Sequence, residues 1–165
     1  MFLEIERKFL VTSPRWRLRA GPGRAIRQGY LSRSPDCSVR VRVDGVRATI
    51  TVKGPRDGLA RPEFEYEAPL AEGEVMLRDL CAKPLVEKVR HKVEHGGLTW
   101  DVDVYSGEAA GLVIAEVELE RADQPLSLPE WVGREVTHDP RYRNSALAHG
   151  LAPEPAPELP RLASA

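Results

Sequence analysis

The sequence has few cysteines and no metal-binding pattern of cysteine and histidine. Its two cysteines, Cys37 and Cys81, lie far apart and form no CxxC pair, which is typical of a reduced, cytoplasmic protein. Its four histidines form no HExxH-like pair, so the spacing argues against a zinc site. We therefore expect a cytoplasmic protein without a zinc centre.

An excess of charge of one sign is also missing. The chain has 24 Lys and Arg against 25 Asp and Glu, whereas a general nucleic-acid-binding protein usually shows a basic excess. It has no apolar run of membrane length and no signal-peptide pattern. We expect neither a nucleic acid nor a membrane as partner. Because 30% of the residues are nevertheless charged, both signs are abundant and could be concentrated in one site.

The length of 165 residues fits one domain, or one domain with a short tail. The last segment, "LAPEPAPELPRLASA", is rich in Pro and Ala and low in aromatic residues. Such a composition favours a flexible tail. We predict a domain over 1–150 and a tail over 151–165.

Alternation of apolar and polar residues predicts about eight strands, mostly joined by hairpins. The predicted strands are 2–11, 25–32, the two runs around Asp44-Gly45, 63–68, the two runs around Gly96-Gly97, and 111–120. Strands joined in this way favour an antiparallel barrel or sandwich.

Three helices are predicted outside the strands. Ser13 and Pro14 are typical of the start of a short helix, and Asp139-Pro140 of a helix that runs to about His149 and stops at Gly150. The third covers 70–82 and is expected to turn these residues toward the core: Leu70, Val75, Met76, Leu77 and Leu80.

The polar face of each predicted strand is nearly of one sign. In chain order these faces carry Glu4, Glu6 and Lys8; Arg40 and Arg42; Thr49, Thr51 and Lys53; Glu63, Glu65 and Glu67; Lys88, Arg90 and Lys92; Asp101 and Asp103; Glu116, Glu118 and Glu120. A sheet with one face in water accounts for any single strand of this kind. It accounts less well for the set, because neighbouring like charges on one face repel.

Both kinds of repulsion are relieved if the charged faces point inward. A closed barrel of about eight strands can hold one small ligand. Carboxylates inside it would hold a hard cation such as Mg²⁺ or Mn²⁺, and Arg and Lys would hold a polyanion. We predict a mainly β fold: an eight-stranded antiparallel closed barrel, with a few helices packed outside, that binds a linear polyphosphate or a nucleoside triphosphate.

A set of motifs resembles one known family. The ExExK signature in "EIERKFLV" is followed, in the family's order, by "RQGYL", "VRVR", "TVKG", "RPEFE", "EKVRH", "WDVDVY", "AEVELE" and "LPEWVGREVTHDPRYRNSALA". Together these resemble the CYTH superfamily, also called the triphosphate tunnel metalloenzymes, and in particular its bacterial single-domain inorganic triphosphatases. The motifs cover residues 2–148. ExExK alone would be weak, but the ordered set is specific.

The resemblance implies roles for individual residues. Glu4, Glu6, Glu116 and Glu118 match metal-binding carboxylates, and Glu63, Glu65 and Asp103 match further acids of the tunnel wall. Lys8, Arg40, Arg42, Lys53, Lys88 and Arg90 match the bases that bind triphosphate. The catalytic candidates are Lys8, Glu4 and Glu118, with Lys8 either a clamp or an aid to proton transfer. Arg56 and Arg61 lie near a loop where the family varies.

The resemblance also implies metal-dependent hydrolysis, in which one ion neutralises phosphate oxygens and a second activates water. Inorganic tripolyphosphate, cleaved to pyrophosphate and phosphate, is the expected substrate, because nothing in this short chain looks like a nucleobase or thiazole pocket. Three alternatives stay open: an organic triphosphatase for nucleoside or thiamine triphosphate, a class IV adenylyl cyclase, and a polyphosphate-binding module without catalysis. The oligomeric state is open too, and a homodimer is one option.

Several residues near the motifs have structural interpretations. Tyr30, Trp100, Trp131 and His91 are expected to be packing residues. Asp101 and Asp103 either bind metal or order the neighbouring Arg and Lys side chains. The helix that Asp139 caps is expected to plug or line one tunnel end, from which Arg141 or Arg143 could reach the ligand.

Overall fold

The computed structural model of the protein describes residues 3–34, 36–148 and 150. The strands are β1 (Leu3–Val11), β2 (Arg24–Arg33), β3 (Ser38–Val43), β4 (Ala48–Lys53), β5 (Ala60–Ala68), β6 (Val86–His95), β7 (Leu98–Tyr105), β8 (Val113–Glu118) and β9 (Val132–Glu135). The α-helices are α1 (Leu70–Val75) and α2 (Asn144–Leu147). No helix in the described part of the chain is both long and apolar enough to span a membrane. The predicted tail, 151–165, lies outside the described residues.

Eight of the strands close into an antiparallel barrel. Their order is β5-β4-β3-β2-β6-β7-β8-β1, and the ring closes where Leu3–Ile5 of β1 pairs with β5. The next residues of β1, Glu6 to Leu10, pair with β8. The predicted closed barrel is therefore confirmed. β9, a four-residue strand that joins the other edge of β1, was not predicted, because its sequence VGRE carries no alternation.

The largest hydrophobic cluster lies outside the barrel wall. Phe9, Trp100 and Val117 alternate with the charged residues of their strands and so face outward. There they are covered by Trp16, from a 3-10 turn over Pro14–Leu18, and by Trp131. The rings of Trp100 and Trp131 meet edge to face, with centroids 5.8 Å apart. Trp100 and Trp131 are thus packing residues, as expected.

A second apolar cluster fills the interior at one end of the barrel. Leu10, Tyr105 and Ile114 share the inward face of their strands with the charged residues. They pack with residues of the segment that follows β9, namely Val136, Tyr142, Leu147 and Ala148. This segment therefore plugs one end of the barrel, as the sequence predicted for it.

The segment after β9 is less helical than predicted. A 3-10 turn over Pro140–Tyr142 is separated from α2 by Arg143, whose backbone is extended (φ −78°, ψ 137°). The Asp139 side chain does cap the first turn, accepting a hydrogen bond from the Arg141 backbone N–H. Gly150 adopts a positive φ of 68°, as expected for a helix stop.

The β3–β4 turn is shifted by one residue from the prediction. The Asp44 N–H donates to the Arg47 carbonyl at 3.0 Å, so Gly45 and Val46 are the two central residues. Gly45 has a φ of 86°, which the first central position of a II′ hairpin turn requires. The predicted Gly96-Gly97 turn is confirmed, because His95 and Leu98 are Cα partners.

The helix predicted over 70–82 ends at Leu80, and its buried face was predicted only in part. α1 stops at Val75 and continues as a π-helical turn over Met76–Leu80. Leu70, Val75 and Leu80 are exposed, whereas Leu77 is buried and Met76 packs against the same cluster, as predicted. Gly73 forms a packing stripe with Leu77, because a Cβ on Gly73 would collide with the Cβ of Ala48 on β4. A helix face predicted from large apolar residues misses a close contact that only a glycine allows.

Replacing this glycine tests the packing. Gly73→Ala should lower the free energy of unfolding by roughly 1–3 kcal/mol, because the added methyl group overpacks the contact with β4. Glu72→Ala, an exposed change in the same helix, should stay within about 0.5 kcal/mol of the wild type. Urea denaturation of both variants measures the difference. Equal stability of the two variants would show that α1 can move away from β4 at little cost.

Candidate functional site: a charged cavity inside the barrel

The barrel encloses a cavity of about 370 Å³. Its described lining is almost wholly polar and comes from the inward faces of the strands. Nine bases line it: Lys8, Arg40, Arg42, Lys53, Arg56, Arg61, Arg90, Lys92 and Arg143. Seven acids do so as well: Glu4, Glu6, Glu63, Glu65, Asp101, Glu116 and Glu118. The structure thus brings together every predicted site residue except Lys88 and Asp103.

Three glutamates gather where β1 meets β8. Glu6 and Glu118 are directly opposite Cα partners, and Glu4 is the next inward residue of β1. Glu118 has no hydrogen-bond or ion-pair partner among the residues that the structure describes. Burial, together with the charges of Glu4 and Glu6, raises its pKa. A carboxylate held against like charges favours a cation beside it.

Glu4 and Glu6 are already engaged by basic side chains. Lys53 Nζ lies 2.7 Å from Glu4 Oε1, and Arg61 Nε lies 2.6 Å from Glu4 Oε2. Burial opposes the ionised form of Glu4, but the charges of Lys53 and Arg61 win and hold its pKa far below the usual range. Glu6 Oε1 is 3.4 Å from Arg56 Nη2 and 3.7 Å from Arg61 Nη2.

The wall that continues from β1 through β5, β4 and β3 is mainly basic. Arg40 is buried and donates to Thr51 Oγ1 at 2.9 Å, while its guanidinium is 3.7 Å from Glu65. Thr51 Oγ1 in turn donates to Glu65 at 3.0 Å. Lys53 also pairs with Glu63 at 2.6 Å. These contacts keep the wall ordered while leaving guanidinium donors facing the cavity.

Arg42, like Arg143, lines the cavity without pairing with a carboxylate in the described residues. Its Nε donates to Gln28 Oε1 at 3.3 Å, and it has no carboxylate partner within the described ranges. Burial and the neighbouring charges of Arg40 and Arg90 lower its pKa to about 10. Arg42 is half-buried, and a cation partly removed from water without a counterion is destabilising. The position therefore favours an anion in the cavity.

Lys88 and Asp103 lie behind the cavity surface. Their side chains are fully buried and form an ion pair, and Arg90 Nη2 lies 2.6 Å from the same Asp103 oxygen. Burial lowers the pKa of Lys88 to about 8. Asp103 thus orders two bases, which is one of its two predicted roles. The role of Lys88 in triphosphate binding stays a prediction.

Lys8 and Arg90 bridge the two groups of charges. Lys8 Nζ contacts Glu116 and lies 3.2 Å from Glu6. Arg90 Nη2 donates to Glu116 Oε2 at 2.7 Å, and its Nη1 donates to Asp101 at 2.8 Å. Glu116, although predicted as a metal ligand, is thus paired with two bases. Burial opposes the charge of Lys8, but Glu116 and Glu6 raise its pKa above the usual range.

From the sequence, either Arg141 or Arg143 was expected to reach the ligand from the plugged end of the barrel. Arg143 lines the cavity, whereas Arg141 points outward and pairs with Asp139. Burial and the nearby charges of Arg56 and Arg61 lower the pKa of Arg143. Its neighbours Asn144 and Ser145 line the cavity too. The break between the 3-10 turn and α2 places them there, and no motif in the sequence signals it.

The donor set suits a hard divalent cation by its chemistry, since all candidate ligands are carboxylate oxygens. The residues that could hold the cation are Glu4, Glu6 and Glu118, with Glu116 behind them. In the part of the chain that the structure describes, however, no three acidic, His or Cys side chains converge closely enough to hold a metal ion as they stand. Glu4, Glu6 and Glu116 are instead engaged by Lys and Arg.

An antiparallel barrel whose acids and bases face one internal cavity is typical of tunnel proteins that bind charged ligands. The sequence profile of the CYTH domain matches residues 3–147. The chain belongs to the CYTH domain family.

Named relatives cover nearly the whole chain. The inorganic triphosphatase of Acetivibrio thermocellus is 48% identical over 144 residues, which are 87% of this chain and 92% of the relative. The inorganic triphosphatase of Nitrosomonas europaea is 41% identical over 151 residues, 88% of this chain and 96% of the relative. A crystal structure of the inorganic triphosphatase NE1496 superposes with a TM-score of 0.62 at 32% identity, covering 90% of this chain and 95% of that one.

Arg42→Met should separate anion binding from stability. In metal-free and phosphate-free buffer the free energy of unfolding should rise by roughly 1–3 kcal/mol, because an uncompensated, half-buried charge is replaced by an apolar side chain of similar volume. Denaturation in urea measures this change. Arg90→Met is the matched control and should be destabilised, since Asp103 and Glu116 each lose one of the two bases that contact them. A loss of stability in Arg42→Met would show that Arg42 has a counterion.

Asp103→Asn tests whether this acid is an internal counterion. It should lower the free energy of unfolding by about 3 kcal/mol, because Lys88 and Arg90 lose their shared partner in a buried position. Asp101→Asn, which changes a more exposed acid on the same strand, should cost less. Unchanged stability of Asp103→Asn together with weaker metal binding would assign Asp103 to the metal instead.

Proposed function

We propose that this protein is a metal-dependent triphosphatase that hydrolyses inorganic tripolyphosphate to pyrophosphate and phosphate. The observation that carries the proposal is the pair of uncompensated groups in one cavity: Arg42, a half-buried cation without a carboxylate, and Glu118, an exposed carboxylate held against other carboxylates. Arg42 favours an anion beside it, and Glu118 favours a cation. A triphosphate bound together with a divalent metal satisfies both.

The charge balance of the cavity supports the same ligand. Nine basic side chains against seven acidic ones line its described part, so the lining carries a net positive charge. Arginine guanidinium groups suit phosphate oxygens, which they bind in pairs. The names of the relatives, inorganic triphosphatases at 48% and 41% identity, point to the same substrate.

The composition of the cavity wall supports an inorganic substrate over an organic one. Apart from Tyr30, and from Val117, whose side chain packs outside the barrel wall, the described lining consists of charged and polar residues, whereas sites for organic molecules are mostly apolar. Tyr30 is itself only 7% exposed and packs with Tyr105 in the second apolar cluster, which fills one end of the barrel. A nucleobase or a thiazolium ring thus finds little surface to contact.

The protein's own side chains would act mainly through position and charge. Arg40, Arg42, Lys53 and Arg90 hold the phosphate oxygens and stabilise the charge that develops on them, which is the main requirement of phosphoryl transfer. Glu4, Glu6 and Glu118 would hold Mg²⁺ or Mn²⁺, which would neutralise phosphate charge and promote ionisation of water. Lys8, between Glu6 and Glu116, positions both acids, and because they keep its amine protonated it can donate a hydrogen bond to a phosphate oxygen. No phosphoenzyme is required.

Phosphate release tests the proposal directly. Purified protein is given tripolyphosphate, ATP or thiamine triphosphate, each with Mg²⁺, with Mn²⁺ or with EDTA, and cyclic AMP is assayed in parallel. We expect metal-dependent release from tripolyphosphate, much slower release from the organic substrates, and none in EDTA. Cyclic AMP from ATP would assign an adenylyl cyclase instead, and tight binding without turnover would assign a binding module.

Glu118→Gln tests the metal assignment within the same assay. Its turnover should fall at least about a hundredfold, because one oxygen ligand with its charge is lost from the site. Glu130→Gln changes an exposed acid that pairs with Arg15 outside the barrel and should behave as the wild type. Full activity of Glu118→Gln would remove Glu118 from the site.

A further inference from the structure

Two arginines contact the acids that would hold a divalent cation. Arg61 stands directly opposite Glu4 in the pairing of β1 with β5 that closes the barrel. Its guanidinium reaches both acids of the first strand, Glu4 at 2.6 Å and Glu6 at 3.7 Å. Arg56, from the loop between β4 and β5, approaches the same Glu6 oxygen at 3.4 Å.

These contacts, together with those of Lys53 with Glu4 and of Lys8 with Glu6, explain why the acids do not form a metal site as they stand. A carboxylate oxygen that accepts a charge-assisted hydrogen bond from a guanidinium is already neutralised. Glu118, which no base contacts, stands beside these pairs as the one member of the acidic group still uncompensated within the described residues. Each cation that leaves Glu4 or Glu6 must therefore be replaced by another.

We propose that Arg61, assisted by Arg56, neutralises Glu4 and Glu6 in the place of a metal ion as long as no ligand is bound. When metal and triphosphate bind, Arg61 exchanges partners. The guanidinium then releases Glu4 and Glu6 to the metal and pairs with phosphate oxygens. No covalent bond changes, and every charged group that loses a partner gains another of opposite charge. The inference rests on the proposed function for the identity of the anion, but not for the competition between Arg61 and the metal.

The exchange couples the two ligands. Metal alone has to displace a guanidinium that has no other anion to join, so it binds weakly to the empty cavity. Triphosphate offers that guanidinium a new partner and thereby strengthens metal binding. By thermodynamic linkage, metal strengthens triphosphate binding by the same factor. Arg61 is thus a positioning residue for the metal as well as a contact for the anion.

The test measures Mn²⁺ binding to metal-free protein in the absence of any phosphate compound, with free Mn²⁺ followed by electron paramagnetic resonance. Arg61→Gln should bind Mn²⁺ about tenfold more tightly than the wild type, because a positive charge next to the divalent ion is removed. Arg61→Lys keeps the charge and should stay near the wild-type affinity. Arg56→Gln should tighten binding less, because Arg56 contacts only one of the two acids.

The matched control is Arg47→Gln. Arg47 also pairs with two acids, Asp44 and Glu67, but it does not line the cavity, so Mn²⁺ affinity should not change. Thermal unfolding of each variant verifies that the barrel still closes. If Arg61→Gln does not fold, the comparison of Arg56→Gln with Arg47→Gln decides in its place.

A second measurement separates exchange from simpler roles. At saturating metal, Arg61→Gln should raise the KM for tripolyphosphate, because the anion loses a contact. A raised KM with unchanged Mn²⁺ affinity would make Arg61 an anion contact only and overturn the proposal. Unchanged or weaker Mn²⁺ binding overturns it in every case. If the wild type does not hydrolyse tripolyphosphate, the proposed function fails, but the Mn²⁺ titration still decides the competition.

Discussion

The structure depends on mutual neutralisation of opposite charges inside a closed barrel. A buried charge is tolerated when it has a partner and further hydrogen bonds, and the strand order supplies both. Acidic β8 lies between β7 and β1, which also carry acids, so longer basic side chains neutralise Glu116: Arg90 reaches it from β6 across β7, and Lys8 reaches it from β1. Asp103 likewise holds Lys88 and Arg90 together. Pairing of opposite charges across the interior is thus a condition of the fold as well as of the site.

The candidate site is formed by the charged groups of the cavity that have no partner of opposite charge. Most inward charges have partners at 2.5–3.7 Å, but the side chains of Arg42, Arg143 and Glu118 have no partner of opposite charge among the described residues. Because unpaired bases and an unpaired acid face the same cavity, the cavity favours an anion and a cation at the same time. The inward residues next to Arg42 and Glu118 on their own strands, Arg40 and Glu116, are both paired.

The sequence was sufficient for the barrel and for most of the cavity lining, because strand alternation determines which side chains share a face. It could not show which inward side chains reach the cavity surface. Lys88 and Asp103 lie on the inward face of their strands, yet Arg90 covers them. It could not show which residues the stagger of the strands brings together, as in the pairing of Glu4 with Arg61. β9, the Gly73 packing stripe and the bend at Arg143 escaped prediction because each depends on tertiary contacts rather than on periodicity.

The position of the main apolar cluster, on the outer side of the barrel wall, has a consequence for how such a protein can diverge. In most domains a mutation of the innermost residues damages the packing that maintains the fold. Here the charged residues of the interior contact mainly one another, while Phe9, Trp16, Trp100 and Trp131 pack on the other side of the strands. Compensated exchanges of charge in the interior can therefore alter ligand preference while the external packing persists, so that one scaffold can accommodate a succession of different chemistries.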